Sequence, residues 1–260
     1  MAVVLDYATM EGALKMRDVI DLLERALAHE AAGDTAVSQK YITEFKGGSM
    51  RMLVAADHAA GYLATKAYHV IENAGVRYVV TLYRLADGEL LAWLDGQLIT
   101  DLRTGGASGV IARKVPIAGP VTVGIVGSGN QARMQLESLA AAYDVRAASV
   151  WSPTAANREA YAREMSQKLG IAVTPAASAE AAVRGHVVVA AASSARGREP
   201  VVRGAWLAGC RLFCAVGNTR KQFAEADVQC FADAALVVAD SPHAQHEAGD
   251  LIQAAAAGAA

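Results

Sequence analysis

The N-terminal part of the chain combines one amphipathic segment with a series of short apolar runs. Apolar residues in the segment 16–28 recur at intervals of three and four, which predicts a helix with one buried stripe. Between residues 40 and 100, glycines and Asp-Gly pairs separate β-rich runs and predict an antiparallel meander, with Asp95-Gly96 as one of its hairpin turns. The predicted strands are residues 41–45, 50–54, 62–68, 76–82, 89–94 and 98–100. Thr100 is then expected to cap a glycine-rich, closely packed helix over 101–114.

The pattern changes after Pro116-Ile-Ala-Gly-Pro120, because from there apolar strands alternate with helices. Proline and glycine break both kinds of element, so we place a domain boundary between residues 117 and 118. The predicted strands are 121–126, 146–151, 187–191, 211–216 and 235–239, and the predicted helices are 131–142, 155–169, 178–183 and 222–226. This alternation predicts a doubly wound parallel sheet over 118–260, preceded by an α+β domain with antiparallel strands over 1–117. The fold class is therefore α/β.

Composition excludes several classes of protein. A formal charge of −2, from 24 Lys+Arg against 26 Asp+Glu, provides no basic field for nucleic acid or anionic lipid. Apolar residues make up 53% of the chain, but no run approaches the roughly 18 apolar residues that a membrane helix needs. The N-terminus lacks the basic start and apolar core of a signal peptide, so we expect a cytoplasmic protein with reduced thiols.

The cysteines and histidines give little indication of a metal site. Cys210, Cys214 and Cys230 form an odd set without a CxxC pair, which favours core packing over a disulfide framework or a zinc cluster. His243 and His246 lie three residues apart on a predicted helix and can share one face, but neither a third ligand nor an HExxH order accompanies them. We therefore predict a protein without a bound metal.

The strongest motif is a Gly127-x-Gly129-x-x-Ala132 turn between an apolar strand and a helix. Gly127 lets the chain turn sharply, Gly129 lets the backbone approach a pyrophosphate, and Ala132 lets the helix pack against the strand. The N-terminus of the helix then faces the phosphates. The motif predicts a Rossmann-type dinucleotide site, and a tight turn without a ligand is the alternative. The predicted cofactor contacts in this loop are Gly127, Ser128, Gly129, Asn130, Gln131 and Ala132.

Further cofactor contacts are expected where the other strands end. A carboxylate at the end of the second strand would hold the ribose 2′-hydroxyl of NAD, but this end carries Ser152 and Thr154, with Arg158 one helical turn later. Two hydroxyls and a guanidinium suit a 2′-phosphate, so we favour NADP over NAD; for Arg158 a solvated helix face is the alternative. The turns after the fourth and fifth strands should border the nicotinamide. Their candidate residues are Ala192, Ser193, Val216, Gly217 and Asn218.

Other segments combine with the glycine loop into a wider pattern. They are Lys66 on a predicted strand, Leu98-Ile-Thr-Asp-Leu-Arg103-Thr104, and Ala239-Asp-Ser followed by Glu247-Ala-Gly-Asp-Leu. Over about residues 4–258, this pattern resembles the ornithine cyclodeaminase and mu-crystallin family. The resemblance implies an NAD(P)-dependent oxidoreductase that acts on the Cα of a small imino, keto or amino acid. It also implies a homodimer through the N-terminal domain and an active site in the cleft between the two domains.

The resemblance also assigns roles by position. Lys66 corresponds to the active-site lysine that faces the carboxylate or imine of the substrate, Arg103 to the arginine that holds the carboxylate, Lys40 to a second basic contact, and Thr104 to a cofactor contact. A planar guanidinium binds a carboxylate through two hydrogen bonds, and a lysine near another cation exchanges protons more easily near neutral pH. Without the resemblance, Lys66 and Arg103 are interpreted as surface charges.

The chain departs from the family pattern in two places. Enzymes that cyclise ornithine carry an aspartate in the loop after the fifth strand, where this chain has Thr219, so we expect a ketimine reductase or amino-acid dehydrogenase. A cyclodeaminase with tightly bound NAD and a non-catalytic NADPH-dependent binding protein are the alternatives. Family members usually continue beyond the equivalent of residue 258, so we expect this chain to be truncated at its C-terminus.

Overall fold

Two units, each with its own β-sheet, make up the chain. The structure is a computed structural model that describes residues 1–194, 199–217, 221–241 and 243–259. Unit 1 comprises Met1–Arg103 and unit 2 comprises Thr104–Ala260. The division falls inside a helix, N-terminal to the domain boundary predicted between residues 117 and 118, which stays a prediction.

Unit 1 is built on a seven-stranded sheet with the order β1-β7-β6-β5-β4-β2, in which β3 also pairs with β4. The strands are β1 (Val3–Leu5), β2 (Thr35–Val37), β3 (Tyr41–Phe45), β4 (Gly48–Asp57), β5 (Tyr62–Ile71), β6 (Gly75–Arg84) and β7 (Leu90–Asp95). The helices are α1 (Tyr7–Met10), α2 (Met16–Ala32) and the first part of α3 (Gly96–Lys114). Strand β1 runs parallel to β7, and the consecutive strands β4 to β7 form the antiparallel meander that the sequence predicts.

Helix α2 confirms the amphipathic pattern of the N-terminal segment. Met16, Val19 and Ile20 are buried, at the three-and-four spacing of one helical face. The helix runs on to Ala32 and ends at Gly33, whose φ of 80° is the left-handed conformation that commonly terminates helices.

Two predictions for unit 1 are wrong. Residues 98–100 belong to helix α3 rather than to a strand, and Asp95-Gly96 joins β7 to that helix instead of forming a hairpin turn. The Oδ1 atom of Asp95 accepts a hydrogen bond of 2.7 Å from the backbone N–H of Gln97, which satisfies a helix N-terminus ahead of Thr100. Gly96 is needed there because a Cβ atom would lie 2.7 Å from the Cβ of Tyr78.

Unit 2 confirms the parallel sheet. Its strand order is β10-β9-β8-β11-β12, and each neighbouring pair is parallel. The strands are β8 (Val121–Val126), β9 (Val145–Trp151), β10 (Ala172–Pro175), β11 (Val188–Ala191) and β12 (Leu212–Ala215). The helices that follow α3 are α4 (Asn130–Ala142), α5 (Ala155–Leu169), α6 (Ala179–Val183), α7 (Val228–Ala232), α8 (Ala244–Glu247) and α9 (Gly249–Ala256), with a 3-10 turn at Gly204–Trp206. The central strands β8 and β11 are apolar and buried, as a two-sided parallel sheet requires.

Several segments of unit 2 differ from the prediction, among them helices α7 and α9, which were not predicted. Strand β10 was not predicted, and residues 222–226 do not form a helix, because the N–H groups of Glu225 and Ala226 both donate to the carboxylate of Asp250. Residues 235–239 do not form a strand, although they are apolar. Leu236 is 78% exposed and Val238 54% exposed, so this run lacks the burial that a central parallel strand needs.

The three cysteines lie in the interior of unit 2. Cys214 and Cys230 are buried, and Cys210 is half-buried. Burial raises the pKa of the Cys210 and Cys214 thiols to about 11 and also raises that of Cys230. Within the described residues, no helix has the length and apolar character to cross a membrane, and no group of three or more His, Cys, Asp or Glu side chains is placed to hold a metal ion.

Candidate active site

One face of the unit 1 sheet carries basic and aromatic side chains together. Strand pairing puts Arg51, Tyr68 and Tyr78 in one row across β4, β5 and β6. Lys66 precedes Tyr68 by two residues on β5, and because side chains alternate along a strand, it lies on the same face.

Lys66 is half-buried against the two tyrosines. Its Nζ atom lies 5.6 Å from the ring centroid of Tyr68 and 5.5 Å from that of Tyr78, and it donates a 3.4 Å hydrogen bond to the Oγ1 atom of Thr100 on α3. Aromatic faces attract a cation, so the two rings hold the amine in place without neutralising it.

The same surroundings make Lys66 an easier proton donor than an ordinary lysine. Burial, and after it the positive charges of Arg103 and Lys40, together lower the pKa of its amine to about 8. The structure thus brings together all three predicted substrate residues, of which Arg103 is exposed and Lys40 half-buried. A small carboxylate is the ligand that such a cluster of cations favours.

Arg51 belongs to this cluster and was missed by the sequence analysis. Its guanidinium carbon lies 5.6 Å from the Tyr68 ring centroid, and its Nε atom is buried without a hydrogen-bond partner among the described residues. The positive charge of Arg51 adds to that of Lys66, Arg103 and Lys40, so a negatively charged ligand would be stabilised beside them. The available signal was a basic residue within the apolar run 50–54.

The glycine loop of unit 2 has the geometry of a dinucleotide site. Gly127 has a φ of 119°, and a Cβ atom there would lie 2.4 Å from the carbonyl oxygen of Ala192, so glycine is required. A Cβ atom on Gly129 would meet no atom within 4 Å, which leaves open space over the loop. Helix α4 begins at Asn130, and its N-cap, Gly129, provides no side-chain hydrogen bond to the first turn. The N-terminal N–H groups and this space fit a diphosphate.

Neighbouring side chains hold the loop in this shape. The Ser128 hydroxyl donates a 3.0 Å hydrogen bond to the Oγ atom of Ser152, and Arg133 Nη1 donates to the Ser128 carbonyl oxygen at 2.5 Å. Ala132 is fully buried, as close packing of helix on strand requires, while Gln131 is half-buried and Asn130 exposed.

The end of β9 keeps the predicted trio together. Arg158 Nη1 donates a 3.0 Å hydrogen bond to the Ser152 carbonyl oxygen, which brings the guanidinium back to the strand end. Thr154 is exposed and is the N-cap of α5, but its side chain makes no capping hydrogen bond. The Ser152 side chain is only 4% exposed and is bonded to Ser128, so it supports the loop instead of facing outward.

The ends of β11 and β12 lie beside the glycine loop. Strand order reverses between β8 and β11, and a crevice for ligands forms at such a point. Ala192 donates to the Val126 carbonyl oxygen at 2.8 Å, and Val216 donates to that of Ala191 at 2.9 Å, so both turns continue directly from the sheet. Ser193 and Gly217 follow them, whereas Asn218 and Thr219 fall outside the described residues.

Thr104, the remaining predicted cofactor contact, opens unit 2. It is half-buried, and its carbonyl oxygen accepts a 3.3 Å hydrogen bond from the side-chain amide of Gln135 on α4. The adjacent Gly105 packs closely on the same helix, because a Cβ atom there would lie 2.7 Å from the carbonyl oxygen of Met134. The close approach expected of the glycine-rich helix is confirmed.

Comparison with known proteins relates these features to enzymes. The model of the ornithine cyclodeaminase/mu-crystallin family matches residues 1–258. An alanine dehydrogenase of Archaeoglobus fulgidus is 29% identical, over 94% of this chain and 75% of its own length. A Delta(1)-pyrroline-2-carboxylate/Delta(1)-piperideine-2-carboxylate reductase of Azospirillum brasilense is 30% identical, over 96% and 80% respectively. The structure of Thermococcus litoralis Delta(1)-pyrroline-2-carboxylate reductase in complex with NADH and L-proline matches with a TM-score of 0.90 at 28% identity, covering 99% of this chain and 82% of that one.

Proposed function

The chain belongs to the ornithine cyclodeaminase/mu-crystallin family, and we propose that it is an NAD(P)-dependent imino-acid reductase. It transfers hydride between the cofactor and the Cα of a small imino, keto or amino acid, most simply reducing a C=N bond to an amine. The observation that carries this proposal is the half-buried Lys66, whose pKa is lowered to about 8 within a cluster of cations. Similarity to reductases of cyclic imines and to an alanine dehydrogenase supports it.

Three basic side chains hold the substrate carboxylate in this proposal. Arg103 is exposed and offers its planar guanidinium for two parallel hydrogen bonds, while Lys40 adds a second positive charge. Arg51 adds a further positive charge beside the Tyr68 ring. Holding the carboxylate fixes the position of the adjacent Cα, which is the geometric part of catalysis.

Lys66 handles the proton. In its protonated form it hydrogen-bonds the imine nitrogen and donates a proton as that nitrogen becomes an amine; in the reverse direction the neutral amine accepts one. A pKa of about 8 suits both directions, because both forms of Lys66 are populated near neutral pH. The reactive group of the substrate is therefore an imine or amine next to a carboxylate.

The cofactor belongs to unit 2. The space over Gly129 and the first turn of α4 take the diphosphate, Ser152, Thr154 and Arg158 lie at the adenosine end, and Ser193 and Gly217 lie at the opposite end. When bound, the nicotinamide supplies the hydride, and the protein supplies position and charge.

We further propose a preference for NADP. The end of β9 carries no carboxylate to repel a 2′-phosphate. Arg158 lies at this strand end through its hydrogen bond to Ser152, and the exposed hydroxyl of Thr154 is not used for capping. A guanidinium and a hydroxyl together favour phosphate over a bare ribose.

We also propose that the protein is a homodimer through unit 1. On β3 and β4, the face opposite Lys66 exposes Tyr41 and Phe45 together with Met50 and Met52, with exposed fractions of 64%, 46%, 37% and 41%. A contiguous apolar patch of this kind marks a protein interface. Light scattering coupled to size exclusion should give twice the chain mass of 27.0 kDa, and Met52→Glu should shift the population to monomer.

The reaction is tested with purified protein, NADPH or NADH, and Delta(1)-pyrroline-2-carboxylate or Delta(1)-piperideine-2-carboxylate. We expect a loss of absorbance at 340 nm that Lys66→Ala abolishes. Lys46→Ala is the matched control, because Lys46 lies in the exposed β3–β4 turn and its loss should leave turnover unchanged.

Three outcomes would contradict the proposal. Normal turnover by Lys66→Ala removes the role of this lysine. Release of ammonia from ornithine without net change of the cofactor identifies a cyclodeaminase. Cofactor binding by calorimetry without turnover on the imino-acid panel identifies a binding protein.

A further inference from the structure

A buried carboxylate connects two turns at the carboxyl edge of the unit 2 sheet. Glu225 is fully buried. Its Oε1 atom accepts a hydrogen bond of 2.5 Å from the N–H of Ser193, after β11, and its Oε2 atom accepts one of 2.6 Å from the N–H of Gly217, after β12. Each carboxylate oxygen is thus bonded to a different turn.

The packing around this carboxylate leaves no room for adjustment. A Cβ atom on Gly217 would lie 2.3 Å from the carbonyl oxygen of Ser193 and 2.4 Å from the carboxyl carbon of Glu225. Real Cβ atoms do not approach backbone this closely, so the bridge requires glycine at position 217. Gly217, the Ser193 carbonyl and the Glu225 carboxylate are therefore in direct contact.

A second carboxylate holds Glu225 itself. Asp250, 8% exposed in the first turn of α9, accepts hydrogen bonds of 2.8 Å from the N–H groups of both Glu225 and Ala226. Because these bonds replace a helical turn at 222–226, they orient the Glu225 side chain toward the sheet. A continuous series of hydrogen bonds thus runs from α9 to the ends of β11 and β12.

Resting on the proposed function, we propose that Glu225 is a positioning residue that sets the spacing of the Ser193 and Gly217 turns and thereby shapes the nicotinamide end of the cofactor site. The glycine loop and the end of β9, which serve the diphosphate and the adenosine, make no hydrogen bond to Glu225 in the described part of the chain. Loss of the hydrogen bonds from Ser193 and Gly217 to Glu225 should therefore weaken binding of the nicotinamide half of the cofactor and leave binding of the ADP-ribose half unchanged.

The protonation of Glu225 supports this role. The pKa of its carboxyl is raised to about 7: burial is the main cause, hydrogen bonds from Ser193 and Gly217 oppose the rise, and the nearby Asp250 carboxylate adds to it. Protonation leaves one oxygen a poor acceptor, so the bridge is expected to weaken at acidic pH.

The test separates the two halves of the cofactor by calorimetry. Glu225→Gln keeps the size of the side chain but replaces one acceptor oxygen with a donor NH₂ group. We expect its dissociation constant for whichever of NADH and NADPH binds the wild type more tightly to rise about tenfold, because one hydrogen bond to a charged group is lost. Binding of the matching fragment without nicotinamide, ADP-ribose or its 2′-phosphate, should stay unchanged.

Asp227→Asn is the matched control. Its carboxylate lies in the same segment and accepts from the N–H groups of Gly204 and Cys230, which are not at the carboxyl ends of β11 and β12. In this control variant, the ratio of the affinities for the dinucleotide and for the fragment without nicotinamide should keep its wild-type value. In steady-state kinetics, Glu225→Gln should raise the KM for the cofactor and leave the KM for the imine unchanged.

Equal affinities of wild type and Glu225→Gln for the dinucleotide would overturn the inference, as would an equal loss for dinucleotide and fragment. Glu225→Asp keeps the charge but is one methylene too short to reach both turns, so it should also weaken the dinucleotide selectively. If neither variant folds, the wild type provides the test. Its affinity for the dinucleotide, divided by its affinity for the fragment, should fall from pH 8 to pH 6, and a constant ratio would overturn the inference. A wild type that binds neither molecule would instead refute the proposed function.

Discussion

Lys66 gives the sharpest prediction, since its ionisation is expected to appear directly in the rate of imine reduction. An ordinary lysine with a pKa of 10.5 would stay more than about 95% protonated at pH 9, whereas a pKa of about 8 leaves only about 10% in the protonated form. If the protonated amine is the proton donor, kcat/KM should fall about tenfold between pH 7 and pH 9. The fall in kcat should occur at higher pH, because a bound carboxylate offsets the charges of Arg103 and Lys40.

The assay follows NAD(P)H oxidation at 340 nm with Delta(1)-pyrroline-2-carboxylate from pH 6 to pH 10. Lys66→Arg is the control, because a guanidinium stays protonated throughout this range. The pH profile of this variant should therefore show only the titration of the substrate itself. The variant should be slower than the wild type, but its kcat/KM should not show the decrease centred near pH 8. Profiles of identical shape for wild type and Lys66→Arg would refute the assignment of the proton to Lys66.

Three further outcomes are expected. Gly127→Ala should lower the free energy of unfolding in urea by about 2 kcal/mol or more, because residue 127 has a positive φ and lies close to the backbone of Ala192. Gly129→Ala should leave the free energy of unfolding unchanged and weaken cofactor binding. Equal losses of stability in the two variants would contradict this. Arg158→Ala should weaken NADPH binding about tenfold and spare NADH, and equal effects on both would argue against a 2′-phosphate contact. Folding raises the pKa of Glu225 from 4.5 to about 7. Its contribution to the free energy of unfolding is therefore fully present below pH 4.5 and is lost as pH rises through 7, a change of about 3 kcal/mol. The difference in unfolding free energy between wild type and Glu225→Gln should change accordingly from pH 4.5 to pH 8, and a constant difference would refute the shift.

The regular elements of unit 2 could be predicted from the sequence where local and tertiary signals agree. Strand β8 and helix α5 have the predicted bounds, 121–126 and 155–169. The strand is an unbroken apolar run buried on both faces, and the helix is followed by Gly170 in the left-handed conformation. In both cases the sequence signal that predicts the element lies within it or next to it.

Predictions were wrong where a distant or unexpected partner decides the backbone. The start of α3 depends on the Asp95 carboxylate, which makes Asp95-Gly96 a helix start and not a turn. The segment 222–226 is held by Asp250, which is 25 residues from Glu225 in sequence, so no local pattern reports the competition.

The site was predictable in its motifs and less so in its supporting contacts. The glycine loop stands out in the sequence, and the roles of Lys66 and Arg103 came from the family resemblance. Arg51 was missed because its place depends on cross-strand register with Tyr68. Glu225 was missed because its partner Ser193 is 32 residues away and becomes adjacent only in the folded sheet.

The interior position of the three thiols has a practical consequence. With pKa values of about 11, only about one in ten thousand Cys210 or Cys214 side chains is a thiolate at pH 7, and the thiolate is the form that alkylating reagents attack. The native protein should therefore react slowly with maleimides. A single cysteine introduced at an exposed position would accept a fluorophore selectively, without prior removal of the native ones.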